Sequence, residues 1–158
     1  MSNNFRTLIV DAITARLLSL YGPSGSVATW FREVDRKPLR PGGASKTRAK
    51  VMDGGQRGVE PIDNESSARV LRVRIVLEIE ANWERVGDNQ TWSDRVEYII
   101  HKFENWLPNG FGVYKNEYKT DDPMDLVFAN GTSEAVWIID FDYFYTVETQ
   151  AQGQWTES

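Results

Sequence analysis

Apolar residues first recur at three- and four-residue spacing: Phe5, Leu8, Ile9, Ala12, Ile13, Leu17 and Leu20 lie on one stripe of a helix. Gly22 and Pro23 close it. Val27 to Val34 then reads as a short strand, rich in β-branched and aromatic side chains. The period becomes a strict two over Ala68 to Ala81. Leu71, Val73, Ile75, Leu77 and Ile79 point one way, and Arg72, Arg74, Val76, Glu78 and Glu80 the other. Such alternation predicts a strand with one buried and one wet face in a mainly antiparallel sheet. A helical period returns at Val96, Ile99, Ile100, Phe103 and Leu107, with Thr91 and Asp94 spaced as a capping box and Pro108-Asn109-Gly110 as the stop.

Three strands follow in the pattern. Phe111 to Lys119 reads as one, and Met124 to Phe128 with Ala135 to Glu148 as a hairpin around Asn130-Gly131, a pair suited to a type I′ turn. In the last strand Trp137, Ile139, Phe141, Tyr143, Tyr145 and Val147 share a face, and Asp140, Asp142 and Glu148 share the other. The expected fold class is α+β. It is a single domain over residues 1–150, with a mainly antiparallel or mixed sheet, two helices on one face and a long extended loop between the first two strands. Residues 151–158 form a polar tail.

That loop, residues 35–66, changes the picture. It carries Arg36, Lys37, Arg40, Lys46, Arg48, Lys50 and Arg57 in a chain of net charge −5. Structureless connections this long in compact domains are either functional or disordered. The expectation is a mobile basic arm that orders on an acidic partner. It has no aromatic residues on which bases would stack, so sequence-specific nucleic-acid recognition is not expected. Contact with a phosphate backbone remains open.

Candidate chemistry is sparse. The chain has no cysteine and one histidine, His101, read as a half-exposed helix residue. It has no nucleophile elbow, phosphate-cradling loop or HExxH. Asp121, Asp122 and Asp125 lack the spacing of a calcium loop and read as a solvated turn. Asp140 and Asp142 read as an acidic strip facing solvent or a pore. Trp30 and Trp137 are expected in the core, and Trp83 and Trp92 as covers at its edge. No catalytic residue, metal ligand or cofactor is assigned, and the chain is expected not to be an enzyme. No apolar run has the length of a membrane span. The first residues lack a signal-peptide layout, because Arg6, Asp11 and Arg16 interrupt any apolar segment.

The element order, carried by FRTLIVDAITARLLSLYG, VLRVRIVLEIEA, SDRVEYIIHKFENWL and AVWIIDFDYFYTVE, resembles the tail-terminator (tail-completion, neck) proteins of long-tailed bacteriophages. The resemblance covers nearly the whole chain and rests on order and periodicity rather than a signature motif. It implies a homo-oligomeric ring, a hexamer, located in the virion tail or neck and assembled in the host cytoplasm. Its implied partners are the tail tube protein, the head–tail connector and the sheath. DNA would pass through the ring without sequence-specific binding, and no membrane is involved. On that reading the acidic strip Asp140, Asp142 and Glu148 faces the channel. The alternatives are another head–tail joining or minor tail protein, a nucleic-acid-binding adaptor using the basic loop, and a small enzyme or ligand-binding domain of ferredoxin-like character.

Overall fold

The computed structural model describes residues 4–39, 47–61 and 66–148. Helix α1, Phe5–Tyr21, starts where the Asn4 side chain accepts a hydrogen bond from the Thr7 amide (2.9 Å), and ends where the Gly22 amide donates to Leu18. Its buried face is Ile9, Val10, Ile13, Leu17 and Tyr21.

The next segment departs from expectation. Of Val27 to Val34, only the end belongs to a strand, β1 (Glu33–Asp35). The amides of Val27, Ala28 and Phe31 donate to the carbonyls of Leu20 and Tyr21 at the end of α1. These helix carbonyls have no partner within the helix, so the segment is drawn onto the helix end instead of into a ladder. Trp30 accordingly stacks on Tyr21, with ring centroids 4.4 Å apart, while Phe31 enters the core.

The largest correction concerns the loop. Arg48–Pro61 is a strand, β2, parallel to β1 over three residues and antiparallel to β3 (Ser66–Ile79). Gly54 and Gly55 sit at an irregularity in the ladder between Asp53 and Gln56. Gly55 there adopts φ +105°, and a Cβ on Gly54 would meet Arg72 Cγ at 2.6 Å. Glycine within a strand thus marks a bulge and a close approach rather than its end. The connection from β1 to β2 is only residues 36–47, of which 40–46 lie outside the described residues.

Helix α2, Val86–Glu104, begins about a turn and a half before the expected capping box, so Thr91 and Asp94 lie inside it. Asp88 in its first turn accepts from the Asn82 amide instead (3.0 Å). Trp92 joins the expected stripe Val96, Ile99, Ile100 and Phe103 in the core, whereas Leu107 lies beyond the helix and is exposed. Val113–Val127 is one continuous strand, β4, running through Asp121, Asp122 and Pro123, where a solvated turn was expected. Pro123 is tolerated because β4 lies at the sheet edge. Strand β5, Ser133–Glu148, completes the hairpin. Only Gly131 in its turn has positive φ (86°), and the Phe128 amide closes on the Thr132 carbonyl at 2.8 Å. The turn is therefore longer than the two-residue type I′ form.

The sheet order is β1-β2-β3-β5-β4. Both helices pack on one face, over a single core built from the alternating residues of β3 and β5. The α+β class, the mixed sheet and the placement of the helices agree with the sequence. No helix among the described residues is long and apolar enough to cross a membrane.

Candidate partner-binding surfaces

The face of the sheet opposite the helices carries most of the charge chemistry. Arg48 opens β2, in register with Glu33 on β1 and Glu78 on β3, so three strands bring their side chains together. The guanidinium is fully buried. Its Nη1 donates to Glu78 Oε1 and its Nη2 to Asp35 Oδ1, both at 2.7 Å. It also donates to the carbonyls of Lys37 (2.9 Å) and Pro38 (3.3 Å). One side chain therefore ties the start of the β1–β2 connection to the sheet. Burial pushes the Asp35 carboxyl up, but the hydrogen bonds from Arg48 and the Lys37 amide outweigh it and leave its pKa below the ordinary value. The Lys50 ammonium is lowered, first by burial and then by the Arg48 charge.

Two rungs further along, β3 and β5 place Arg72 opposite Asp142 and Arg74 opposite Asp140. Arg74 binds its partner through Nε (2.8 Å) and Nη2 (3.0 Å). Arg72 binds through Nε at 2.5 Å, with Nη2 at 3.4 Å. The side chains of Asp140 and Asp142 are only 5% and 2% exposed, against 41% and 34% for Arg74 and Arg72. Hydrogen bonds to these carboxylates raise the pKa of both arginines. The expected acidic strip is thus corrected: Asp140 and Asp142 lie beneath a layer of guanidinium groups. Glu148 closes β5 opposite Ser66, and its side chain lies outside the described set.

The expected basic arm divides. Arg36 is exposed with Nη1 3.1 Å from Asp11 of α1, and Lys37 is exposed beside it. Arg40 and Lys46 lie outside the described residues. Arg48 and Lys50 are buried strand residues and drop out as partner-binding groups. Arg57 is exposed on β2, with Nη2 3.8 Å from Asp142.

The opposite edge, formed by α2 and β4, was not singled out in the sequence. On the exposed side of α2 a cleft of about 450 Å³ is lined by Asp94, Glu97, Tyr98 and His101, with the Tyr98 ring 6.4 Å from Trp30. Asp121 accepts from the Trp137 indole (2.7 Å) and from the Tyr118 hydroxyl. Burial and then that aspartate push the Tyr118 phenol well above its usual range. Among the described residues no group of three or more histidine or acidic side chains is placed to hold a metal ion.

No protein-family model matches this chain, and no curated protein matches its sequence. Its surfaces must therefore be read from their own chemistry. Two arginines invisible as structural groups in the sequence are also fixed here. Arg16 lies over Trp106 at 4.8 Å, and Arg95 lies between Trp92 (4.7 Å) and Trp30 (5.2 Å). Helical spacing accounts for the Trp92–Arg95 pair, three residues apart on α2, but for neither the Arg16–Trp106 nor the Arg95–Trp30 contact, each of which joins a helix to a ring elsewhere in the chain.

Proposed function

We propose that this chain is a ring subunit of a phage tail terminator or neck, which caps the tail tube and joins it to the head connector. The observation that carries the reading is the sheet face opposite the helices. Among the described residues no helix covers it, and beside the buried Val70, Val76 and Val136 it carries guanidinium groups closed over carboxylates. Charge is nearly balanced there: Arg57, Arg72 and Arg74 stand against Asp140 and Asp142. A wall along which a polyanion slides must neither attract it strongly nor repel it, and paired charges of this kind meet that need. The order helix, strands, helix, hairpin is that of the resemblance drawn from the sequence. The role is structural, without catalysis, and its place is the virion.

The test is negative-stain electron microscopy of the purified chain, alone and with tail tubes. The expected result is rings with a central opening, free or at tube ends. A chain that neither forms rings nor binds tubes or connectors overturns the proposal. A second reading, a nucleic-acid-binding adaptor, is favoured only by the exposed Arg36, Lys37 and Arg57. It requires DNA affinity that falls steeply with salt.

A further inference from the structure

The β2 bulge also shapes the helix side of the sheet. Asp53 is in register with Val73, so strict alternation would set Gly55 opposite Leu71. The extra residue sets Gln56 there instead and turns Arg57 to the outer face. Gln56 therefore points to the helix side, beside the first residues of α1. Two positions on, Gly58 stands opposite Arg69, and a Cβ added to Gly58 would meet nothing within 4 Å. The cavity at this place, about 200 Å³, is lined by Asn4, Phe5, Arg6, Gln56, Arg69 and Tyr145.

No acid is in that lining, and its side-chain acceptors are already engaged. The Asn4 oxygen accepts from the Thr7 amide. The Gln56 oxygen accepts from the Tyr145 hydroxyl, which turns the Gln56 amide nitrogen into the group left to donate. The Tyr145 oxygen in turn faces the Arg69 guanidinium. Arg6 gives Nε and Nη2 to Asp53, which stands outside the cavity, so the Arg6 charge is balanced. Arg69 has no carboxylate partner among the described residues. Phe5 and Tyr145 add ring walls, with centroids 6.3 Å apart. An unbalanced guanidinium beside an amide donor, with no acceptor competing for either, is an environment that favours an oxyanion.

We propose that this cavity binds a carboxylate group, with Arg69 and the Gln56 amide donating to its oxygens and Phe5 and Tyr145 flanking the carbon that bears it. One carboxylate balances the one unbalanced charge of the lining, whereas a phosphate monoester brings about 1.5–2 charges. A carboxylate also hangs on one substituent. A phosphodiester has two, and both would have to leave a cavity of this size. The site does not rest on the ring reading and is tested apart from it.

The experiment is a heteronuclear NMR titration of the full chain with sodium acetate, at an ionic strength held at about 150 mM with sodium chloride. The Arg69 Nε–H, the Gln56 side-chain amide and the Arg6 backbone amide should shift and saturate, with a dissociation constant on the order of 1–10 mM. Arg69→Gln removes the charge. Gln56→Glu keeps the shape and replaces the donor by an anionic acceptor. Each should bind at least about tenfold more weakly, as loss of a charged hydrogen bond requires. Arg85→Gln removes the same charge beyond the far end of β3 and should bind as wild type does. Urea unfolding curves verify that each variant folds, and the near-isosteric Gln56→Glu decides the matter if Arg69→Gln does not. A blocked tripeptide with a central glutamate is titrated in parallel. Binding as tight as acetate or tighter assigns the carboxylate to a protein segment, weaker binding assigns it to a small free acid, and both support the site. Wild type that gives no saturable shift overturns the proposal. So does binding that Gln56→Glu leaves unchanged, or that Arg85→Gln weakens equally. Tighter binding of dimethyl phosphate than of acetate assigns the cavity to a phosphodiester and overturns the carboxylate.

Discussion

Replacing Arg48 by Met tests whether the buried cation is a structural keystone. Glu78, its partner at 2.7 Å, is fully buried, whereas the side chains of Glu33 and Asp35 are 30% and 23% exposed. The two β1 acids can return toward water when the guanidinium goes, but Glu78 keeps its burial and loses a charged donor. Removing one partner of a buried ion pair costs about 3–5 kcal/mol. With a urea m-value of about 2 kcal/mol/M, the midpoint should fall by about 1.5–2.5 M. Adding Glu78→Leu to Arg48→Met should recover most of that loss, since apolar replacement of a whole buried pair is often close to neutral. The assay is equilibrium urea unfolding of wild type, both single variants and the double variant, followed by tryptophan fluorescence. An Arg48→Met midpoint within about 0.5 M of wild type, about 1 kcal/mol, would refute the reasoning. So would a double variant less stable than either single one.

Other consequences follow from the same face and from the β2 bulge. Gly55→Ala forces a side chain into φ +105° and should cost about 1–3 kcal/mol, measured by the same unfolding curves. Arg74→Ala uncovers the buried Asp140 carboxylate and should cost about 1–3 kcal/mol, whereas Arg74→Lys should recover part of it. Asp35 and Asp53 both have folded-state pKa values below the unfolded value of about 3.8. The unfolded chain therefore binds protons first as pH falls. The stability these groups contribute should be complete above the ordinary carboxylate range and disappear as pH falls through their lowered values. Acid titration of Asp53→Asn, which breaks the bidentate contact with Arg6 (2.7 and 2.9 Å), should show a shallower loss than wild type.

Strands β3 and β5 were readable because each alternates without interruption, and one face of each is a continuous row of large apolar residues. β2 was not. Its Gly54-Gly55 pair and its cations look like a loop until the bulge places Gly54 against Arg72 and the register places Arg48 against Glu78. A local pattern cannot show that a charge will be buried, because the partner that permits it lies 30 residues away. The same limit reversed the reading of Asp140 and Asp142. Their alternation correctly put them on the face away from the core, but the arginines that cover them belong to another strand. The arginines of β3 were visible in the sequence, and pairing β3 with β5 in the right register would have matched the two sets. The edge formed by α2 and β4 escaped notice for a different reason. Its acids and tyrosines come from two elements, and neither is dense enough in charge to stand out alone.

The Arg48 contact with the Lys37 and Pro38 carbonyls also sets a length. Chain leaving Pro38 must return to Arg48 itself, so the connection is a tether with both ends fixed at one guanidinium. The nine residues between them, out and back, extend no farther than about 17 Å from that point. Any partner engaged through Arg40 or Lys46 must come close to the sheet edge, because the connection is too short to reach across to a distant surface.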